Sequence, residues 1–261
     1  MSIQGICGER DPAVCRLREN DGGDFVGPTL FADGVLLRSE FTWLPPAAAG
    51  DVYRVACKKP RAIGLIDGRF ETVPSVWHKE ILWALAHGIH VYGAASMGAL
   101  RAAELDRFGM VGVGSIYDDF RRGILQDDDE VAVVHAPAEL RYRPLSEAMV
   151  DIRATLAAAK SANVISQRTA DALQRIAKDI FFKERNWDVL FAHAANVGLP
   201  KLQLARLVRW LPANRVDRKR LDALSMIEAM RLLLGARPRP FRPRFKFQHT
   251  VYWQNLIERG G

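Results

Sequence analysis

Between Ala62 and Leu105 the hydrophobic pattern changes period repeatedly, and that alternation constrains the fold more than any other feature of the chain. "AIGLI", Ala62 to Ile66, is continuously apolar and stops at Asp67-Gly68, as a strand buried on both faces does. "WHKEILWALAHGI" then places Trp77, Ile81, Leu82 and Leu85 at helical spacing, with Gly88 at its end. "HVYGA" returns to a short strand and "MGALRAAELDRF" to a helix. A strand, helix, strand, helix order with nearly unbroken apolar strands predicts an α/β fold: a largely parallel sheet flanked by helices.

That core is expected over residues 22–160. "DFVGPTL", Asp24 to Leu30, adds an extended segment that breaks at Gly27-Pro28, a turn signal where such segments often carry a site. After Pro45-Pro46 a helix-like stretch ends near Lys59. Val131 to Val134 is short enough to be a buried strand or the start of a helix. "PLSEAMVDIRATLAAAK" is a clearer helix: Ser146 is placed to cap it, and Met149, Ile152, Leu156 and Ala159 recur on one face. Residues 161–235 read as a mostly helical C-terminal appendage with turns at "NVGLP" and "LPAN", and residues 1–21 as a loose extension without periodicity. In the basic tail, 236–261, prolines at 238, 240 and 243 forbid an ordinary helix while Arg and Phe alternate around them.

Composition removes several classes of function. No apolar run reaches the roughly 18 residues of a membrane span, and "MSIQGICGERDPAVCRLREN" lacks the apolar centre of a secretory signal, so a cytoplasmic location is the default expectation. Cys7, Cys15 and Cys57 are odd in number and widely spaced, which favours free thiols over a disulfide scaffold or a zinc site. The histidines form no recognisable metal motif, and no P-loop or dinucleotide fingerprint is present, so no intrinsic metal, nucleotide or other cofactor is expected. The net charge of +7 is uneven: residues 201–261 hold 14 Lys or Arg against 4 Asp or Glu, and the preceding residues 23 against 26.

The candidate chemistry centres on "AASMG". Ser96 lies between a strand and a helix, and the small residues around it permit a sharp bend and close approach by a substrate. Free amides at the helix start, around Met97 and Gly98, would meet a developing oxyanion. The spacing approaches the nucleophile-elbow pattern G-x-S-x-G, with Ala94 in place of the first glycine. A helix-capping serine explains the same residues. "AASMGA" also resembles the nucleophile segment of Clp-type serine peptidases, over these few positions only. Asp67, just beyond a strand, is a candidate for the same crevice or a turn-stabilising residue. His135, after "VAVV", is the most attractive base; His78, beside Lys79 and Glu80, is a second, with an ordinary helix surface as the alternative. Arg101 and Glu104 share a helical face as a substrate clamp or a simple ion pair. Tyr117 is a donor at the rim or a core residue, and Asp127 to Glu130 orient a base, bind a cation, or cap and solubilise.

Longer segments carry a family resemblance. "GPTL", "GDVYR", "IGLIDGRFETVPSVWHKEILWAL", "GAASMGALRAAELDRFGMVGVGSIY", "DDDEVAVVH" and "YRPLSEAMVDIR", spread over roughly residues 25 to 155, closely resemble the TfuA-like family. The resemblance implies association with a YcaO enzyme in thioamide formation on peptides or proteins, a post-translational modification. It further implies help in sulfur transfer from a thiocarboxylated sulfur-carrier protein, with ATP and Mg on the YcaO partner. The expected activity is thiocarboxylate hydrolysis by Ser96, with Asp67, His135 or His78 in supporting roles and Gly27, Thr29, Lys79, Met97, Gly98, Arg101, Glu104 and Tyr117 lining the substrate site. The alternative is a non-catalytic docking subunit that recruits the sulfur donor or peptide.

The tail is expected to serve a protein contact, on a partner or on the chain's own core, in preference to nucleic acid. Arg237, Arg239, Arg242, Arg244 and Lys246 interleave with Phe241, Phe245 and Phe247, but no nucleic-acid-reading module accompanies them.

Overall fold

The computed structural model describes residues 22–30, 41–70 and 73–259. The expected loose extension, with Cys7 and Cys15, lies outside them. Five strands, β1 (Gly22–Phe25), β2 (Phe41–Leu44), β3 (Ala62–Leu65), β4 (His90–Ala94) and β5 (Val111–Val113), form one parallel sheet in the order β2-β1-β3-β4-β5. The chain leaves β1 toward one edge and β3 toward the other. The crevice of such a sheet opens at this reversal, beyond the carboxyl ends of β1 and β3.

Helices α1 (Asp51–Ala56), α2 (His78–Ala86) and α3 (Met97–Leu105) bury Val52, Val55, Ile81, Leu85, Ala102 and Leu105 against Phe25, Ile63, Leu65 and Val91. α2 starts where Glu80 accepts the Trp77 amide (3.1 Å), and stops at Gly88, whose φ of 87° is the left-handed turn a helix end needs. α3 presses on the β3 backbone: a Cβ on Gly98 would stand 1.6 Å from the Leu65 carbonyl oxygen, so only glycine fits.

The other face of the sheet is covered from further along the chain. After α4 (Ser115–Arg121), helices α5 (Met149–Ser161), α6 (Gln167–Asp179), α7 (Trp187–Asn196) and α8 (Lys201–Asn214) pack around their own core of Ile152, Leu156, Leu173, Leu190 and Leu207. α9 (Arg218–Gly235) then returns to the sheet and lays Ala223, Met226, Ile227 and Met230 on Val26, Ala62, Ile66, Tyr92 and Ala94. Part of the region expected as an appendage is therefore one layer of the α/β core.

Three local expectations change. Val131 to Val134 is neither strand nor helix; it follows a short 3-10 turn, Asp128–Glu130, in irregular backbone. Ser146 does not cap α5, whose N-cap is Ala148; its hydroxyl accepts the Val134 amide (2.8 Å) and fastens that irregular segment. The "LPAN" turn comes later than its proline suggests, because Pro212 sits inside α8.

The tail lies extended on the core and ends in α10 (Val251–Arg259). The Phe241 amide donates to the Gly88 carbonyl (2.8 Å), and Phe241 and Phe245 pack on the sheet-side core. Trp253 is buried edge-on to Tyr53 (5.2 Å). Arg237, Arg239, Arg242, Arg244 and Lys246 face outward. Among the described residues no helix is long and apolar enough to cross a membrane.

Candidate functional site

The crevice is built from the exits of β1, β3 and β4. Asp67, two residues beyond β3, is 1% exposed and accepts the Gly27 amide (2.8 Å), the Thr29 amide (3.1 Å) and the Thr29 hydroxyl (2.7 Å). Its carboxyl group thereby ties the loop after β1 to the loop after β3. Lys219, in the first turn of α9, brings its Nζ to 3.9 Å from Asp67 and donates to the Val131 carbonyl (3.0 Å).

Ser96 reaches the same point from β4. Its amide bonds to the Ala94 carbonyl (2.8 Å), and Ala95, between them, takes φ = 65°, a left-handed conformation that costs a residue with a Cβ. This tight, strained bend delivers Ser96 to the N-cap of α3, where its carbonyl accepts the amides of Ala99 (3.0 Å) and Leu100 (3.3 Å). The side chain makes no cap; its hydroxyl, 2% exposed with the residue, donates to the Val131 carbonyl (3.3 Å). Ser96 and Lys219 thus converge on one acceptor.

The acidic run fixes that acceptor in place. Lys178 bonds to Asp127 (3.0 Å), Asp129 and Glu130 (3.0 Å); Arg153 forks onto Glu130 (3.0 and 2.9 Å); fully buried Arg185 holds Asp129 (2.7 Å). Burial alone would raise Asp129, but Lys178 and Arg185 outweigh it and hold its carboxyl below the usual range. Three acids are spent on cations of α5, α6 and the loop before α7, and the result is a rigid turn directly before Val131. Among the described residues no cluster of His, Cys, Asp or Glu is arranged to hold a metal ion.

Lys219 and Thr29 also face a cavity of about 420 Å³, lined further by Arg143, Asp151, Arg215 and Asp217. Burial pushes the Asp151 carboxyl up to about 7, helped by the charge of Asp217, although it accepts the amides of Arg218 (2.8 Å) and Lys219 (3.2 Å). A titratable acid, a lysine and a concave wall at a sheet reversal are the ingredients of a ligand site.

Several of the other candidates have partners of their own. His135 donates through Nδ1 to the Ala136 carbonyl (2.9 Å) and stands edge-on to Tyr142. His78 pairs with Glu104 (2.7 Å), which Arg101 also holds (2.7 Å) while its Nε donates to the Val76 carbonyl (2.9 Å). Burial would raise Glu104, but His78 and Arg101 bring it below its ordinary value. Neither histidine hydrogen-bonds to Ser96. Lys79 is taken by the tail, donating to the Gln248 carbonyl and the Thr250 hydroxyl (3.1 Å). The Tyr117 hydroxyl donates to Asp106 (3.2 Å), and burial together with that carboxylate raises its pKa. The Gly98 amide is consumed by the Ile66 carbonyl (3.1 Å), which leaves Met97 as the helix-start amide beside Ser96.

Sequence reasoning missed Lys219 and Val131. Lys219 had a signal: with Asp222, Ala223, Met226 and Met230 it follows helical spacing on one buried stripe, and a lysine on such a stripe marks a buried cation. Val131 had none, because it acts through a backbone carbonyl that every residue type possesses.

No curated protein matches the chain. Residues 67–186 match the family model described as TfuA-like protein, a span that opens on Asp67 and includes Ser96 and Val131 while Thr29 and Lys219 flank it from outside. That match places residues 67–186 with the TfuA-like family.

Proposed function

We propose that this protein is the sulfur-delivery partner of a YcaO enzyme in backbone thioamide formation, and that it hydrolyses a thiocarboxylated sulfur-carrier protein to release sulfide. The match to the TfuA-like family supports the association with YcaO chemistry. The observation that carries the hydrolytic reading is the strained Ala95-Ser96 bend, which places a serine hydroxyl against the carbonyl that also receives Lys219. In this reading the Ser96 hydroxyl turns from Val131 toward the thiocarboxylate carbon and forms an ester as sulfide leaves. The Met97 amide meets the developing oxyanion. Water then cleaves the ester and returns free serine and a carrier carboxylate. ATP and Mg belong to the YcaO partner, which activates the peptide amide that receives the sulfur.

The test is sulfide release from thiocarboxylated carrier by the purified protein without YcaO. Ser96→Ala is expected to reduce release at least about 100-fold while the melting temperature holds, since among the described residues the serine side chain makes one hydrogen bond. Unchanged release by folded Ser96→Ala protein would remove Ser96 from the nucleophile role.

One observation favours a second reading, a docking subunit without turnover: Ser96 is 2% exposed and its hydroxyl is engaged. Carrier binding without any sulfide release by the wild-type protein would select that reading.

A further inference from the structure

A thiocarboxylate is an anion, and its spread charge makes its carbonyl carbon a poor target for a hydroxyl. Hydrolysis therefore calls for a cation at the substrate's charged end more than for a base. Lys219 meets that demand. Its ammonium has three donors, of which one goes to the Val131 carbonyl (3.0 Å). Asp67, at 3.9 Å, stands beyond hydrogen-bond reach of Lys219, and its oxygens already accept Gly27 and Thr29. The residue is 4% exposed, yet it lines the 420 Å³ cavity, so its remaining donors are held in a largely desolvated position beside open space. Charge acts at greater strength there than at the surface. Asp67 balances the lysine in the absence of substrate without using its donors.

We propose that Lys219 is a catalytic residue that binds the anionic terminus of the substrate and neutralises it, so that Ser96, released from the Val131 carbonyl that both residues share at rest, attacks an effectively uncharged acyl group. The inference rests on the hydrolase reading. It also accounts for a serine without a histidine. When the Ser96 oxygen bonds to carbon and the carbon–sulfur bond breaks, the hydroxyl proton passes to the departing sulfur, so serine and thiocarboxylate anion give a serine ester and hydrosulfide. Water then splits the ester into serine and carboxylate and releases one proton. The substrate supplies the proton acceptor for the first step.

The experiment compares two substrates on the full chain: the thiocarboxylated carrier and the S-methyl thioester of the same carrier, which is neutral. Lys219→Gln keeps a donor for Val131 and loses the charge. It should cut kcat/KM roughly 100-fold on the thiocarboxylate and less than about 10-fold on the thioester. Equal losses on both substrates would overturn the inference, because a misplaced Ser96 slows both alike. If Lys219→Gln unfolds by leaving Asp67 unbalanced, the pair Asp67→Asn with Lys219→Gln restores neutrality and reads the same ratio. If the wild type releases no sulfide from either substrate, the hydrolase reading has failed by itself. Titration of the carrier in its ordinary carboxylate form then decides the anion-binding role: binding weakened about 10-fold in Lys219→Gln upholds it, and equal binding overturns it.

Discussion

Two aspartates of the sheet, Asp24 in β1 and Asp67 beyond β3, are equally buried and oppositely treated. Asp67 meets two backbone amides, a hydroxyl and, at 3.9 Å, a lysine. Asp24, 0% exposed, has both oxygens outside good hydrogen-bond geometry, and burial pushes its carboxyl up to about 7 against a weaker lowering by the Gly64 backbone amide. Its register partner on β2, Trp43, likewise leaves Nε1 unpaired. The cause is position. Inside a parallel strand the neighbouring amides are committed to the ladder, whereas a strand exit frees amides such as those of Gly27 and Thr29 to turn toward a carboxyl. The chain even clears space for the uncompensated group, since a Cβ on Gly64 would stand 1.7 Å from Asp24. A polar site can be assembled at the sheet's end; within the sheet the same residue type is a burden.

The contrast should break first at Asp67. Asp67→Ala strands Lys219 and the Gly27 and Thr29 amides, and is expected to cost about 3–5 kcal/mol in urea unfolding, the usual penalty for removing one partner of a buried pair. A loss below about 1 kcal/mol would mean that the two loops hold together without it.

Asp24 should behave in the reverse sense, with a pH signature. Its folded pKa is raised, so the folded state holds the proton more tightly. Its contribution is complete below the unfolded value near 4 and is lost as pH rises toward about 7. Asp24→Asn should flatten that part of the stability profile and raise the melting temperature at pH 8 by about 2–4 °C relative to the wild type. Asp151, also raised to about 7, remains in both proteins and cancels from the comparison. An identical pH slope in both would show that Asp24 does not hold its proton in the fold.

The smallest effect sharpens the picture at one atom. Thr29→Val removes one of the three hydrogen bonds to Asp67 and should cost about 1 kcal/mol. A loss as large as that of Asp67→Ala would make the hydroxyl, and not the carboxyl, the fastening.

The sequence made the centre of this fold readable and its edges obscure. β3 is buried at every position and β4 at all but its first, so each appears as an apolar run. β2 and β5 are edge strands of mixed burial, and "FTWL" and "VGV" carry no comparable pattern. Asp67 and Ser96 stand out because each follows an apolar strand and precedes a small residue. The partners of Ser96 do not stand out: one is a carbonyl, and the other arrives from a helix far along the chain. The acidic run misleads for a related reason, since Arg153, Lys178 and Arg185, which neutralise it, are remote in sequence.

The layer that α9 adds to the sheet has a consequence for synthesis. Arg61, at the entrance to β3, contacts the Leu234 carbonyl across 173 residues of chain. At about 5–20 residues per second, a ribosome needs roughly 10–30 s to make that interval. Throughout it Ala62, Ile66, Tyr92 and Ala94 lack the helix that buries them. A newborn chain therefore carries an apolar sheet face that only its own later translation can cover, and slow translation or truncation before Arg218 should send it to chaperones or into aggregates.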